Sequence, residues 1–306
     1  MLLFNLGRIK IPTGLIQEGG TLVANIRIVT DSTSDIPEPL RKQHGIEMVP
    51  LKVHFGDETF LDAVTIQPDE FYDKLVAAPS LPKTSQPSPA DFLDIYKRLQ
   101  TEPNTEIISI HLSSALSGTY QSAVLAKSML DDDSRVSVVD SRSASYGIGL
   151  LVLEAAKAAQ AGETREQIIA KLEQIRRDMR IYFLVGTLDY LQKGGRIGKA
   201  SALLGSLLNI KPILTIDDEG EVSSVDKVRG QKKAMARIIE LLKDEYGQQE
   251  LHVTVAHAKT PEAAAEFEQL LKENLVITKM DYSVVGPVIG THAGPGTVAA
   301  FARPAR

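Results

Sequence analysis

Ile26-Arg27-Ile28-Val29-Thr30-Asp31-Ser32-Thr33-Ser34-Asp35 is the stretch from which the fold is read. An apolar, β-branched run that stops in hydroxyl and acidic turn residues reads as a buried strand with a turn at its carboxyl end. A helix follows over residues 36–44, with Pro37 near its first turn, where a missing N–H costs nothing. The same unit recurs downstream. Residues 107–112 run into Ser113-Ser114-Ala115-Leu116-Ser117-Gly118 and a helix to Leu130, and residues 136–139 run into Asp140-Ser141-Arg142-Ser143 and an apolar helix over 147–161. Strands that alternate with helices imply parallel pairing through crossovers. Between these units the sequence predicts a strand over 46–55, with Pro50 marking a bulge or an edge. It also predicts helices over 68–77 and 91–100, and a proline-rich loop over 78–89 that contains Thr84-Ser85-Gln86-Pro87.

The pattern changes after residue 163. A charged amphipathic helix spans 164–177, with Ile168, Ile169, Leu172 and Ile175 as its inner stripe. A strand over 182–185 and an apolar helix over 200–208 follow. Strands over 212–216 and 221–228 flank Asp217-Asp218-Glu219-Gly220, a hairpin signal. Helices over 232–246 and 261–273 alternate with strands over 251–256 and 281–285, the last of which precedes a glycine-rich loop carrying His292. The chain of 306 residues is longer than one compact core usually holds. The reading is therefore an α/β protein of two domains: an N-terminal, mostly parallel α/β/α sheet over 26–163 and a C-terminal α+β domain over 164–306. Residues 1–25 read as an extension.

A formal net charge of −5 argues against non-specific binding to nucleic acid or a membrane surface, since both need a basic face. Cysteine is absent, which removes disulfides, thiolate nucleophiles and thiolate metal sites. No run approaches the roughly 20 apolar residues of a membrane span, and residues 1–25 lack the order of a signal peptide. A soluble, cytoplasmic protein is expected.

Catalytic signatures mostly fail. There is no G-x-S-x-G elbow and no H-E-x-x-H pair. Gly194-Gly195-Arg196-Ile197-Gly198-Lys199-Ala200 has the wrong spacing for a phosphate loop and puts Ala200 where a magnesium-binding hydroxyl is needed. Gly147-Ile148-Gly149 lacks the third glycine of a dinucleotide fingerprint. What remains are hydroxyl clusters where strands meet helices, at residues 31–35, 113–118 and 140–145. Ligands of parallel sheets bind beyond the carboxyl ends of strands, and helix N-termini there favour anions. The same residues also serve simply as N-caps. Ser117 before Gly118, which lets a ligand approach the backbone, is the hardest to dismiss as a cap. The Thr84-Ser85-Gln86 loop is placed to close over the same crevice. Arg196, His292 and Arg229, which opens a basic run to Lys233, are further candidates, each with a solvated or structural role as the alternative.

Taken together, Ile28-Val29-Thr30-Asp31-Ser32-Thr33-Ser34-Asp35, Thr84-Ser85-Gln86-Pro87, Leu116-Ser117-Gly118-Thr119-Tyr120, Lys193-Gly194-Gly195-Arg196-Ile197 and His292-Ala293-Gly294-Pro295-Gly296 resemble the DegV family of bacterial fatty-acid-binding proteins, which serve a fatty acid kinase. The resemblance runs from about Ile26 to Phe301. It implies two domains and one long-chain fatty acid buried with them. Thr84 and Ser117, with Ser85 and Gly118 beside them, would hold the carboxylate. Arg196 and His292 would face the carboxylate or the acyl phosphate made from it, and the charge added by phosphorylation would be offset by Arg196 and a protonated His292. Asp62 and Arg229 correspond to positions tied to phosphotransfer or kinase docking, although Gly230 stands where family members commonly have Thr. Residues 148–153 and 203–210 are candidate tunnel lining. No cofactor is implied, since the nucleotide would sit on the partner kinase. Two other readings stay open: a stand-alone acyl hydrolase using Ser117, His292 and Asp62, and a binder of phosphorylated small metabolites.

Overall fold

The structure is a computed structural model that describes residues 25–205 and 210–305. The opening stretch forms β1 (Asn25–Asp31), buried along its carboxyl half. It pairs in parallel with β2 (Glu47–Val49) and β6 (Thr105–His111), and β7 (Val136–Asp140) extends the sheet in the order β2-β1-β6-β7. Successive side chains of a strand face opposite ways. Val29 and Ile107 accordingly pack on helices Pro89–Gln100 and Thr119–Ser128. Ile28, Ile108 and Ile110 face helix Tyr146–Gln160 on the other side. A small antiparallel sheet, β3 (Lys52–Phe55), β4 (Glu58–Leu61) and β5 (Lys83–Ser85), stands beside the first in the order β4-β3-β5.

The second half is built on a six-stranded sheet. Its strands are β8 (Arg180–Leu184), β9 (Ile210–Ile216), β10 (Val222–Arg229), β11 (Leu251–His257), β12 (Ile277–Val284) and β13 (Val298–Pro304), in the order β10-β9-β8-β13-β11-β12. Every pairing is antiparallel except that of β11 with β12. One face carries helices Gln231–Tyr246 and Pro261–Asn274. On the other face Ile181, Ala299 and Phe301 share a continuous apolar core with Ile28, Ile108 and Ile148 of the first half. The α/β class, with a parallel sheet followed by a mostly antiparallel one, is as the sequence predicts.

Several elements differ from expectation. The strand predicted over 46–55 is two strands in two sheets, because Pro50 offers no N–H to a ladder and the chain changes sheet there. The loop predicted around Thr84 contains β5, which pairs Thr84 with Val53. The strand near residue 281 is not the last. The buried strand β13 follows it, and its Ala-rich sequence shows no alternation because both faces are covered. His292 sits in helix Pro287–Ala293 rather than in a loop, since Pro287 starts a helical turn and Gly294 at φ 76° ends it. The helix predicted over 200–208 is a 3-10 stretch, Gly198–Leu203, and residues 206–209 lie outside the described residues. So does the extension, apart from Asn25, which is part of β1.

The glycines of Gly147-Ile148-Gly149 serve packing. A Cβ on Gly149 would lie 2.5 Å from the Ser34 carbonyl, so the helix can lie directly on the turn after β1. Beneath that turn runs a fully buried polar chain. Asp31 Oδ2 accepts from the Leu112 N–H at 3.0 Å and meets His111 Nδ1 at 3.0 Å. His111 Nε2 lies 2.6 Å from Ser109 Oγ, and the Tyr96 hydroxyl donates to the same oxygen at 2.7 Å. The array has the order of a hydrolase triad, but every member is sealed from solvent, so its role is to satisfy buried groups. Replacing His111 by Ala should cost about 3 kcal/mol, because Asp31 and Ser109 lose a partner inside the core. Urea unfolding measures this, and a loss below about 1 kcal/mol would show that the chain does not brace the sheet.

Candidate functional site

Where the parallel and the six-stranded sheet face each other the molecule holds a cavity of about 310 Å³. Its walls follow from strand parity. Ile181 and Phe183 project from one side of β8, and Ala299 and Phe301 from one side of β13. Ile216 and Val222, paired across the β9–β10 hairpin, close another side. Leu51, Leu112 and Leu116 come from the first half. The halves are tied around this space by Ser113 Oγ donating to the Gly220 carbonyl at 2.8 Å and by Tyr72 OH donating to the Val285 carbonyl at 2.9 Å.

The polar part of the lining gathers Thr84 and Ser85, Ser117, Arg196 and His292 from four separate segments. Thr84 is presented by β5, and its Oγ1 lies 2.9 Å from His292 Nε2. His292 Nδ1 is buried without a partner among the described residues. Burial, reinforced by the Arg196 charge, pushes the imidazole down to about 4, so it is neutral near pH 7. The protonated His292 expected against an acyl phosphate therefore needs that added charge, since the unliganded ring is neutral. The ring rests against Gly194, where a Cβ would fall 2.3 Å from Nδ1, which explains why a glycine precedes Gly195-Arg196. Gly195, at φ 71°, turns the chain so that the Arg196 N–H reaches the Leu191 carbonyl at 2.9 Å. The guanidinium donates to two carbonyls, Leu116 at 3.1 Å and Gly194 at 2.7 Å. These neutral acceptors hold Arg196 in place without cancelling its charge. Ser117 Oγ lies 2.9 Å from Thr119 Oγ1 and accepts from the Thr119 N–H at 3.3 Å. Together these groups make a cationic, hydroxyl-lined patch in an apolar chamber, suited to orienting one anionic group of an apolar molecule.

Other predicted residues are engaged differently. Ser85 lines the cavity, but its Oγ also meets His54 Nε2 at 2.9 Å. Gly118 faces the Gln86 side chain rather than open space, with a Cβ there 2.4 Å from the amide oxygen. Asp62 is buried beside a second, polar crevice, where Ser32 Oγ donates to its Oδ2 at 2.7 Å. Burial pushes Asp62 up to about 7. Arg229 is exposed at the end of β10 and does not reach the cavity lining. Residues 148–153 are core rather than lining, because their side chains pack into the shared apolar core; Ala144 and Ser145, just before the helix, line the cavity instead. Residues 203–205 and Ile210 are also absent from the lining. Of the three hydroxyl clusters, 113–118 and 140–145 reach the cavity, while 31–35 borders only the second crevice. Sequence reasoning missed the walls from β8, β13 and the helix before His292, since an apolar residue on a cavity looks no different from one in a core. Among the described residues no group of His, Asp or Glu could hold a metal ion, and no helix is long and apolar enough to cross a membrane.

A folded value for His292 below the ordinary 6.5 means that folding favours the neutral ring. Its contribution to stability is whole above pH 6.5 and is lost as pH falls through about 4. In urea unfolding, the advantage of the wild type over His292→Gln should shrink by about 3 kcal/mol between pH 7 and pH 4. A constant difference across that range would show that the ring is not desolvated.

The profile of the DegV family, described as a family of uncharacterised proteins, matches residues 25–305. A DegV domain-containing protein of Caldanaerobacter subterraneus subsp. tengcongensis is 41% identical over 279 residues, covering 90% of this chain and 98% of the relative. Protein DegV of Bacillus subtilis is 38% identical over 276 residues, covering 90% and 97%. Among solved structures, a DegV family protein of Thermus thermophilus, described by its fatty acid binding, superposes with a TM-score of 0.86 at 39% identity, over 92% of this chain and 99% of that one. DegV of Bacillus subtilis, described as a fatty acid binding protein, superposes with a TM-score of 0.82 at 37% identity, over 92% and 99%. The matched region spans all three sheets, from β1 to β13, and the chain belongs to the DegV family.

Proposed function

We propose that this protein binds a long-chain fatty acid in the cavity and presents its carboxylate to a partner, an ATP-dependent fatty acid kinase, in the cytoplasm. The observation that carries the reading is the convergence of Thr84, His292, Ser117 and the un-neutralised Arg196 on one mostly apolar chamber. Burial of each methylene contributes about 0.8 kcal/mol, so some ten methylenes supply on the order of 8 kcal/mol, a micromolar affinity before any polar contact. The carboxylate then needs orientation only. In the partner's active site a carboxylate oxygen attacks the γ-phosphorus of ATP, the bond to the ADP oxygen breaks, and an acyl phosphate remains. The added negative charge favours proton uptake by His292, which stands beside Arg196 and is neutral beforehand. Arg229, exposed on β10, is available to a docking partner, whereas Asp62 is enclosed.

The hydrolase reading loses its support. Ser117 Oγ contacts Thr119, His292 Nε2 contacts Thr84, and Asp62 borders a different crevice. A phosphorylated metabolite would leave the apolar walls unused.

Native mass spectrometry of the purified protein should show an adduct with the mass of a fatty acid. Protein that is empty as purified and does not take up added palmitate would refute the reading. Thr84→Val, which keeps the shape and removes the hydroxyl, should weaken palmitate binding by about tenfold, as measured by calorimetric titration. An unchanged affinity would remove Thr84 from the head-group site.

A further inference from the structure

Asp35 closes the turn after β1 and lines the second crevice, not the cavity. Its carboxylate nevertheless bridges two segments that build the cavity. Oδ2 is hydrogen-bonded to Ser145 Oγ, and Oδ1 accepts the Gly286 N–H at 3.1 Å. Its own carbonyl accepts from Ser283 Oγ at 3.3 Å. Ser145 lines the cavity and precedes helix Tyr146–Gln160. Gly286 is the N-cap of helix Pro287–Ala293, which carries His292 in its last turn. Asp35 and Ser145 both have positive φ, 51° and 53°, uncommon for residues with side chains. Such conformations persist where the surroundings over-determine them. The fit at Gly286 is equally close: a Cβ there would lie 2.5 Å from Asp35 Oδ1, although φ −70° suits any residue.

We infer that Asp35 is a positioning residue for the head-group site, clasping the start of the His292 helix and the Ser145 turn so that both hold their place on the cavity wall. The inference rests on the fatty-acid reading of that site. Six residues at 1.5 Å rise separate Gly286 from His292, so a tilt of about 10° at the clasp displaces the imidazole by about 1.5 Å. That is enough to break the Thr84–His292 contact. Burial pushes the Asp35 carboxyl well above the ordinary carboxylate range, while the hydrogen bonds it accepts from Ser145 and Gly286 pull it back. An asparagine keeps an acceptor for the Gly286 N–H and turns its amide NH2 to the Ser145 hydroxyl, which accepts as readily as it donates.

The test pairs the ring resonances of His292 in unliganded protein, read by proton–carbon NMR, with the affinity for the fluorescent fatty acid cis-parinaric acid. Asp35→Ala should shift the His292 resonances and weaken binding by about tenfold. Asp35→Asn should keep the wild-type spectrum and bind within about threefold of wild type. Gly286→Ala should behave like Asp35→Ala through the clash alone, and it decides the matter if Asp35→Ala does not fold. His292 resonances and affinity unchanged in Asp35→Ala or Gly286→Ala would overturn the inference, as would an Asp35→Asn variant as impaired as Asp35→Ala. If wild-type protein binds no cis-parinaric acid, the fatty-acid reading fails, and the His292 spectrum alone still decides whether Asp35 positions that ring.

Discussion

Desolvation of the Thr84–His292 contact is the constraint around which this structure is arranged. The two residues lie 208 positions apart and meet at 2.9 Å in a chamber whose other walls are mostly apolar. An imidazole in such a setting gives up its proton, and the nearby Arg196 charge pushes the same way. The result is a site that is positively charged through Arg196 but holds its histidine neutral in reserve. A carboxylate bound there as proposed would meet hydroxyls and a guanidinium at modest desolvation cost, and a group of higher charge would draw a proton onto His292. Every neighbouring feature serves this arrangement: the bare edge of Gly194 against the ring, the turn at Gly195, and the clasp of Asp35 on the helix start.

The cavity exists because two sheets of different character share one core. The parallel sheet brings hydroxyl-bearing turns to the carboxyl ends of its strands, and the antiparallel sheet offers a broad apolar face through β8 and β13. The ties from Ser113 to Gly220 and from Tyr72 to Val285 fix the two against each other.

Much of this was legible in the sequence. The alternation that begins at Ile26 identified the parallel sheet, and Asp217–Gly220 identified the β9–β10 hairpin, because periodicity and turn chemistry are local. Thr84, Ser117, Arg196 and His292 were singled out from motifs, and they do line one cavity. The failures share a cause. Pro50 marked a bend but not a change of sheet, Thr84 looked like loop because β5 is three residues long, and β13 lacked alternation because it is buried on both faces. Asp62 and Asp35 carry the same chemistry in sequence as a ligand-facing acid, yet both turn to the second crevice. Which side of a wall a side chain occupies is set by tertiary packing, which no local pattern encodes.

The most direct test is a crystal structure of the protein with palmitate. The account predicts the acyl chain between β8 and β13, with a carboxylate oxygen at about 3 Å from Thr84 Oγ1 or Ser117 Oγ. A carboxylate found in the second crevice beside Asp62, or a cavity left without an acyl chain at saturating palmitate, would contradict it.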